Sequence, residues 1–151
     1  MVDPSVEIVE LHPEETWPLR QGVLRTGTPS TAVVLDGDDD AGTLHLGARQ
    51  SGGELIAVST WIPRAWASAP TLPAVQLRAM AVAPMCRQAR IGARLLRHGI
   101  AMVTERGARI VWANARDTAL DFYASHGFEI DGDGFVDEAT GLPHHRIVRR
   151  L

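Results

Sequence analysis

The chain has 151 residues, 45% of them hydrophobic, with a net charge of −3 and a single cysteine. That is enough for one well-buried domain spanning 1–151 without a linker, and no apolar run approaches membrane-spanning length. Lone Cys86 excludes an internal disulfide framework and fits a reducing cytoplasm. Met1 to Glu10 is acidic and no apolar segment follows it, so no secretory signal is expected. In chain order, Val6 to Leu11 reads as a strand, and Pro13-Glu14-Glu15 opens a helix reaching about Arg25, with proline and acids in its first turn. Gly27 to Ser30 breaks it. The run Asp36-Gly37-Asp38-Asp39-Asp40 lacks the spaced ligands and terminal Glu of a calcium loop and reads as a solvated turn. Strands Thr43 to Arg49 and Glu54 to Pro63 are joined by the hairpin turn Ser51-Gly52-Gly53, and Arg64 to Pro73 is an ordered loop. The second half alternates: strand 75–83, helix 91–106, strand 108–114, helix 117–126, then strands 128–136 and 144–150.

Charge is spread unevenly. Residues 1–75 carry four Arg against ten acids, whereas residues 76–116 hold eight Arg and one acid, Glu105. A basic segment in an acidic protein suits a polyphosphate small molecule and argues against a nucleic-acid partner, which needs a broad basic face. The same segment has the layout of an anion cradle. An apolar strand turns at Pro84, passes through a short basic loop, and enters a helix whose first turn holds Gly92 and Ala93. The first N–H groups of a helix have no internal partner, and the helix dipole adds positive charge there. Arg90, Arg94 and Arg97 fall at i, i+4 and i+7 on one face. Arg90, in the first turn, is the candidate phosphate contact; Arg94 and Arg97 either join it or form the helix's wet side.

Residues 75–114 form a β-α-β crossover with a parallel strand pair, whose ligand site is expected at the carboxyl ends of the strands. Further on, Asp117 or Thr118 caps a helix and Gly127 closes it, with Ala119, Phe122, Tyr123 and His126 on one face. Such an aromatic pair is ordinarily core, so spacing alone gives Tyr123 no chemistry.

Together the two constellations resemble the GNAT superfamily of N-acetyltransferases. Its signature is a strand ending in Ala-Val, then Arg/Gln-x-x-Gly-x-Gly/Ala at a helix start, then an Asn region and A-x-x-F-Y-x-x-x-G-F. The counterparts are Ala81-Val82, Arg87-Gln88-Ala89-Arg90-Ile91-Gly92, and Ala119-x-x-Phe122-Tyr123-x-x-x-Gly127-Phe128. Thr140-Gly141-Leu142-Pro143-His144 resembles the ending of a small bacterial subgroup, although such a turn also makes sense as a plain hairpin. Two positions depart from the pattern: Arg90 replaces the first glycine of the Gly-x-Gly pair, and Arg116 replaces the usual Asn, with Asn114 two positions earlier.

The resemblance implies an α/β fold, a mixed and mostly antiparallel sheet with a central parallel β-α-β unit flanked by helices. It implies acetyl-CoA as co-substrate, a small-molecule or peptide amine as acceptor, no membrane, and a homodimer. Strand 75–83 would splay from strand 108–114, exposing backbone groups of Met80, Ala81 and Val82 to pantetheine and to the thioester carbonyl. Gln88, Ala89, Arg90, Ile91, Gly92 and Ala93 would hold the diphosphate, and Asn114 would touch pantetheine. Tyr123, the only tyrosine, would protonate the leaving thiolate. The alternatives are a GNAT fold that binds acyl-CoA without turnover, suggested by Arg90 and Arg116, and a structural α/β domain with no cofactor. His144 and His145 point to opposite faces of a strand and show no shared-ligand geometry, so no metal is expected; His144, Arg78 and Trp112 read as exposed or core before acceptor contacts. The acidic N-terminal half favours a cationic acceptor.

Overall fold

Eight strands form one twisted sheet in the order β1-β2-β3-β4-β5-β8-β6, with β7 pairing to β8. The computed structural model describes residues 6–151, apart from the side chains of Gln88 and Ala89. The strands are β1 (Glu7–Glu10), β2 (Leu44–Arg49), β3 (Leu55–Pro63), β4 (Ala74–Val82), β5 (Ile110–Arg116), β6 (Glu129–Ile130), β7 (Phe135–Val136) and β8 (Pro143–Arg150). The helices are α1 (Trp17–Leu19), α2 (Ile91–Glu105) and α3 (Leu120–Ala124). Pairing is antiparallel except between β4 and β5, which the α2 crossover makes parallel. Among the described residues no helix is long and apolar enough to cross a membrane.

β3 is buried from Ile56 to Ile62 without alternation, so both its faces are covered. Trp61 lies against Gly99 of α2 on one face, and Thr60 and Ile62 meet Arg20 and Gly37 on the other. The apolar stripe of α2 comprises Ile91, Leu95, Leu96, Gly99, Ile100 and Val103, all buried, while Met102 is only half-buried. The stripe packs across β2, β3 and β4.

Four expected elements differ from the observed ones. The helix read over 117–126 is a 3₁₀ turn (Asp117–Ala119) followed by α3, and Asp117 and Thr118 lie inside that turn and do not cap the helix. The helix read from Pro13 to Arg25 is a 3₁₀ turn (Pro13–Thr16), then α1, then a π-helical turn (Arg20–Arg25). Pro18 has no N–H to give and crowds the preceding turn, which interrupts the regular ladder. The strand read as 128–136 is split into β6 and β7, because the intervening Asp131-Gly132-Asp133-Gly134 contains a glycine at φ +89°. The aspartate run is not wholly solvated: Asp36, Asp39 and Asp40 are exposed, but Asp38 is buried in an ion pair with Arg20.

Candidate active site

The site begins where β4 leaves its neighbours. β4 pairs with β5 only over Ala74–Gln76 against Ile110–Trp112, after which the two strands part. On its other side, Val58 opposes Ala81 and Thr60 opposes Arg78, so β4 carries one extra residue between the two pairs. Ala79 in this bulge takes φ +53°. The other non-glycine residue at positive φ among the described residues is Arg90, at φ 58° and ψ 23°, the N-cap of α2. Ala79 lines one and Arg90 the other of two adjoining cavities, the pattern expected where the backbone is shaped for a ligand.

Two cavities open there. The larger, about 830 Å³, is bounded by Met80 and Val82 of β4 and by Arg87, Arg90, Gly92 and Ala93 at the head of α2, with Arg97 one turn further on. Arg90 makes no side-chain cap and its carbonyl takes the first helical bond, from the Arg94 N–H at 3.1 Å. The helix head is therefore not plugged by its own cap residue. A Cβ at Gly92 would sit 3.4 Å from Val82 and 3.6 Å from Phe122, ordinary contact distances that place the helix start directly against the end of β4. His126 also lines this cleft beside Arg87, Arg90, Arg97 and Arg116; burial, then Arg97 and Arg149, push its pKa down and disfavour a further positive charge there.

The smaller cavity, about 210 Å³, lies between β4, β5, the π-turn and the approach to β8. Its lining includes Gln76, Arg78, Asn114, Arg116, Asp137 and His144. Met80, Ala119 and Tyr123, with Leu24 and Arg116, line both cavities and form the wall between them. Tyr123 is 7% exposed, its ring edge-on to Phe122 and Phe128. Among the described residues no group hydrogen-bonds its hydroxyl. Burial raises its pKa well above the usual phenol value.

Of the residues singled out in the sequence, Met80, Val82, Arg90, Gly92, Ala93 and Tyr123 converge on the larger cleft. The side chains of Ala81 and Ile91 are core, 2% and 1% exposed, so only their backbone is available to a ligand. Those of Gln88 and Ala89 lie outside the described residues. Asn114 opens onto the smaller cavity and away from the helix head. Arg116 donates to the Leu24 carbonyl at 2.6 Å and fastens the π-turn across both cavities. His144 and Arg78 line the smaller cavity, contrary to the exposed or core reading, whereas Trp112 packs beside Trp66 and donates to the Arg64 carbonyl. Leu24, Arg25 and Asp137 carried no local signal. Gln76 and Arg78, two residues apart in an otherwise apolar strand, did carry one: together they mark one polar face.

Comparison with known proteins agrees with this geometry. The family model described as an acetyltransferase (GNAT) domain matches residues 30–130. Among solved structures, a protein from Lactobacillus plantarum superposes with a TM-score of 0.80 at 18% identity, covering 97% of this chain and 99% of that one. Escherichia coli ElaA gives 0.77 at 21% identity, covering 96% and 99%. An acyl-CoA N-acyltransferase from Pseudomonas aeruginosa gives 0.78 at 17%, again covering 96% and 99%. No curated protein sequence is similar enough to count as a relative. With the matched domain spanning the splayed strands, the helix head and Tyr123, the chain belongs to the GNAT acetyltransferase family, which transfers acyl groups from acyl-CoA.

Proposed function

We propose that the protein is an N-acetyltransferase that moves an acetyl group from acetyl-CoA to a primary amine in a ternary complex. The observation that carries the reading is the shared wall: a cationic cleft at an uncapped helix head and a small polar cavity meet at Met80 and Tyr123. The cleft fits a pantetheine diphosphate. Backbone N–H groups at the start of α2 and the guanidinium groups of Arg87, Arg90 and Arg97 would hold the phosphates, and the bulged backbone of β4 would hold pantetheine. Acetyl-CoA supplies an activated thioester; the chain supplies position and proton transfer.

A bond forms between the amine nitrogen and the acetyl carbon while the carbon–sulfur bond breaks; nitrogen loses one proton and sulfur gains one. The Tyr123 hydroxyl donates to sulfur. Burial raises the phenol pKa, so Tyr123 keeps its proton at neutral pH and can donate it only as negative charge builds on the departing sulfur. For the amine, the candidate acceptor is His144, 7% exposed. Its Nδ1 lies 2.9 Å from the Leu142 carbonyl, which only accepts, so Nδ1 carries the proton and Nε2 keeps a lone pair. Nε2 has no partner among the described residues. Solvent then restores the proton to Tyr123 and takes one from His144.

The test is thiol release from acetyl-CoA across a panel of primary amines. Tyr123→Phe is expected to lower kcat at least ~100-fold while leaving the CoA dissociation constant unchanged. Stabilisation of the protein by acetyl-CoA with no amine-dependent thiol release would favour the non-catalytic acyl-CoA-binding module instead, for which the Arg116 tie across both cavities is the observation in hand.

Arg90 separates strain from binding. In the left-handed region a side chain costs roughly 1–2 kcal/mol, partly offset by the chain entropy glycine brings, so Arg90→Gly is expected to raise stability by about 0.5–1 kcal/mol. Arg90→Glu should keep the strain and weaken CoA binding about tenfold or more through charge reversal at the helix head. Urea denaturation and CoA titration read the two effects independently, and unchanged CoA affinity in Arg90→Glu would remove Arg90 from the site.

A further inference from the structure

The smaller cavity is more cationic than the protein around it. Arg25, Arg78 and Arg116 line it against one carboxylate, Asp137, whose Oδ2 already accepts from the Thr140 N–H and hydroxyl at 3.0 Å each. Arg25 donates Nε–H to the Ala32 carbonyl and Arg116 donates to the Leu24 carbonyl, so both are held in place by neutral acceptors and neither forms an ion pair with a described carboxylate. Arg78 has neither hydrogen bond nor ion pair among the described residues. It is half-buried on β4, on the same strand face as Gln76, whose own Oε1 accepts from Arg64. Burial first, then the charges of Arg64, Arg20 and Arg25, lower its pKa, with Asp38 opposing; a guanidinium nevertheless stays charged. A half-buried cation among like charges is costly, and an incoming anion relieves both costs at once.

We propose that the acceptor is an amine that also carries an anionic group, a carboxylate before any other, and that Arg78, with Arg25 and Arg116 beside it, binds that group. The inference rests on the transferase reading above and narrows its acceptor to small amino acids. The fork of a guanidinium matches a carboxylate with two parallel N–H···O bonds. At about 210 Å³ the cavity is below the ~300–1,000 Å³ usual for drug-sized ligands, so the part of the acceptor seated inside it is small. The same cavity is lined by His144 and Tyr123, so an acceptor anchored by its anion shares it with the groups that handle protons. The acidic N-terminal half pointed to a cationic acceptor. The local lining reverses that reading, because exposed charges beyond roughly 8–10 Å are screened and those facing the cavity are not.

The experiment compares matched amines: alanine, glycine and methionine against their carboxamides, with aminomethylphosphonate as an anion of different shape and cadaverine as a cationic amine. Acetyl-CoA-dependent thiol release is expected to favour the acids over the amides by about 100-fold in kcat/KM. Arg78→Gln should erase most of that ratio by slowing the acids alone, and Arg78→Lys should restore part of it. Preference for aminomethylphosphonate over the amino acids keeps the anion site and overturns its carboxylate preference. Equal or better turnover of the amides or of cadaverine overturns the proposal outright. Thermal shift with N-acetylalanine against N-acetylalaninamide reads the anion site without turnover. Stabilisation by the acid alone, lost in Arg78→Gln, supports the site even if no amine reacts, in which case only the transferase reading falls; no stabilisation by either removes the anion site whatever the turnover.

Discussion

Replacing Asp38 with alanine is expected to destabilise the protein by about 3–5 kcal/mol, the usual cost of stranding one partner of a buried ion pair. Arg20 is 2% exposed and grips Asp38 through two bonds, 2.7 Å to Oδ2 and 2.9 Å to Oδ1. It also donates to the Val33 carbonyl and the Thr60 hydroxyl at 2.7 Å each. Four guanidinium N–H groups are thus satisfied, and Nε has no partner among the described residues. Thr60 passes its own proton to His45 Nδ1 at 2.8 Å, which leaves His45 Nε2–H to donate to the Asp38 carbonyl at 3.0 Å. Oδ2 of Asp38 further accepts the Leu35 N–H. Swapping the pair for two apolar residues, often harmless elsewhere, would strand Leu35 N–H and the Val33 carbonyl, so the double variant should also fall below wild type. Urea denaturation measures both, and wild-type stability in Asp38→Ala would show that the network contributes nothing.

The same pair sets an acid limit. Burial alone would raise the Asp38 pKa, but the Arg20 hydrogen bonds, the Leu35 N–H and the Arg20 charge outweigh it and hold the carboxyl below its usual value. A depressed folded-state pKa gives stability that is present above the unfolded value of about 3.9 and is lost as pH falls through the folded one. The loss of stability should therefore appear below about pH 4 and be read by urea denaturation across pH. Its functional reach is short: Arg20 opens the π-turn that carries Leu24 and Arg25 to the cavities, so loosening this network unseats part of both linings.

None of that network is written in local spacing. Asp38 reads as one of four acids in a polar run, and its partner lies 18 residues away on a turn whose π geometry no periodicity announces. The crossover was legible for the opposite reason. Strand β4, the Pro84 turn and the α2 stripe each obey one local rule, and α2 was placed to within a residue of its end. Likewise Met80, Val82, Arg90 and Gly92 could be read as one site, because a strand end and the following helix head must meet in a β-α-β unit. The second cavity could not be. Arg25, Arg78, Asp137 and His144 come from four separate segments, and the bulge that shapes β4 beside them turns on Ala79, a residue that gives no hint of its φ of +53°.

Gly99→Ala is the other substitution expected to have a large effect, and it tests how α2 is held. A Cβ there would stand 1.9 Å from Trp61 Cζ2 and 2.3 Å from Cε2, well inside contact distance. Trp61 is 1% exposed and its indole N–H donates to Ser59 Oγ at 2.9 Å, so the ring cannot slide aside without giving up a buried bond. Helix propensity would favour alanine by about 1 kcal/mol, but overpacking costs 1–3 kcal/mol and more where neighbours cannot move, so a net loss of roughly 2 kcal/mol or more is expected. Gly99 lies seven residues after Gly92, on the same face of α2, so the face that meets Trp61 at Gly99 is the one that meets Val82 at the helix head. Lifting α2 at Gly99 should therefore also raise the helix head from Val82 and weaken CoA binding. Trp61→Phe in the same chain relieves the overlap, so the double variant should lose less stability than the two single variants combined. Additive losses would mean that the Trp61 ring does not set the distance between α2 and β3.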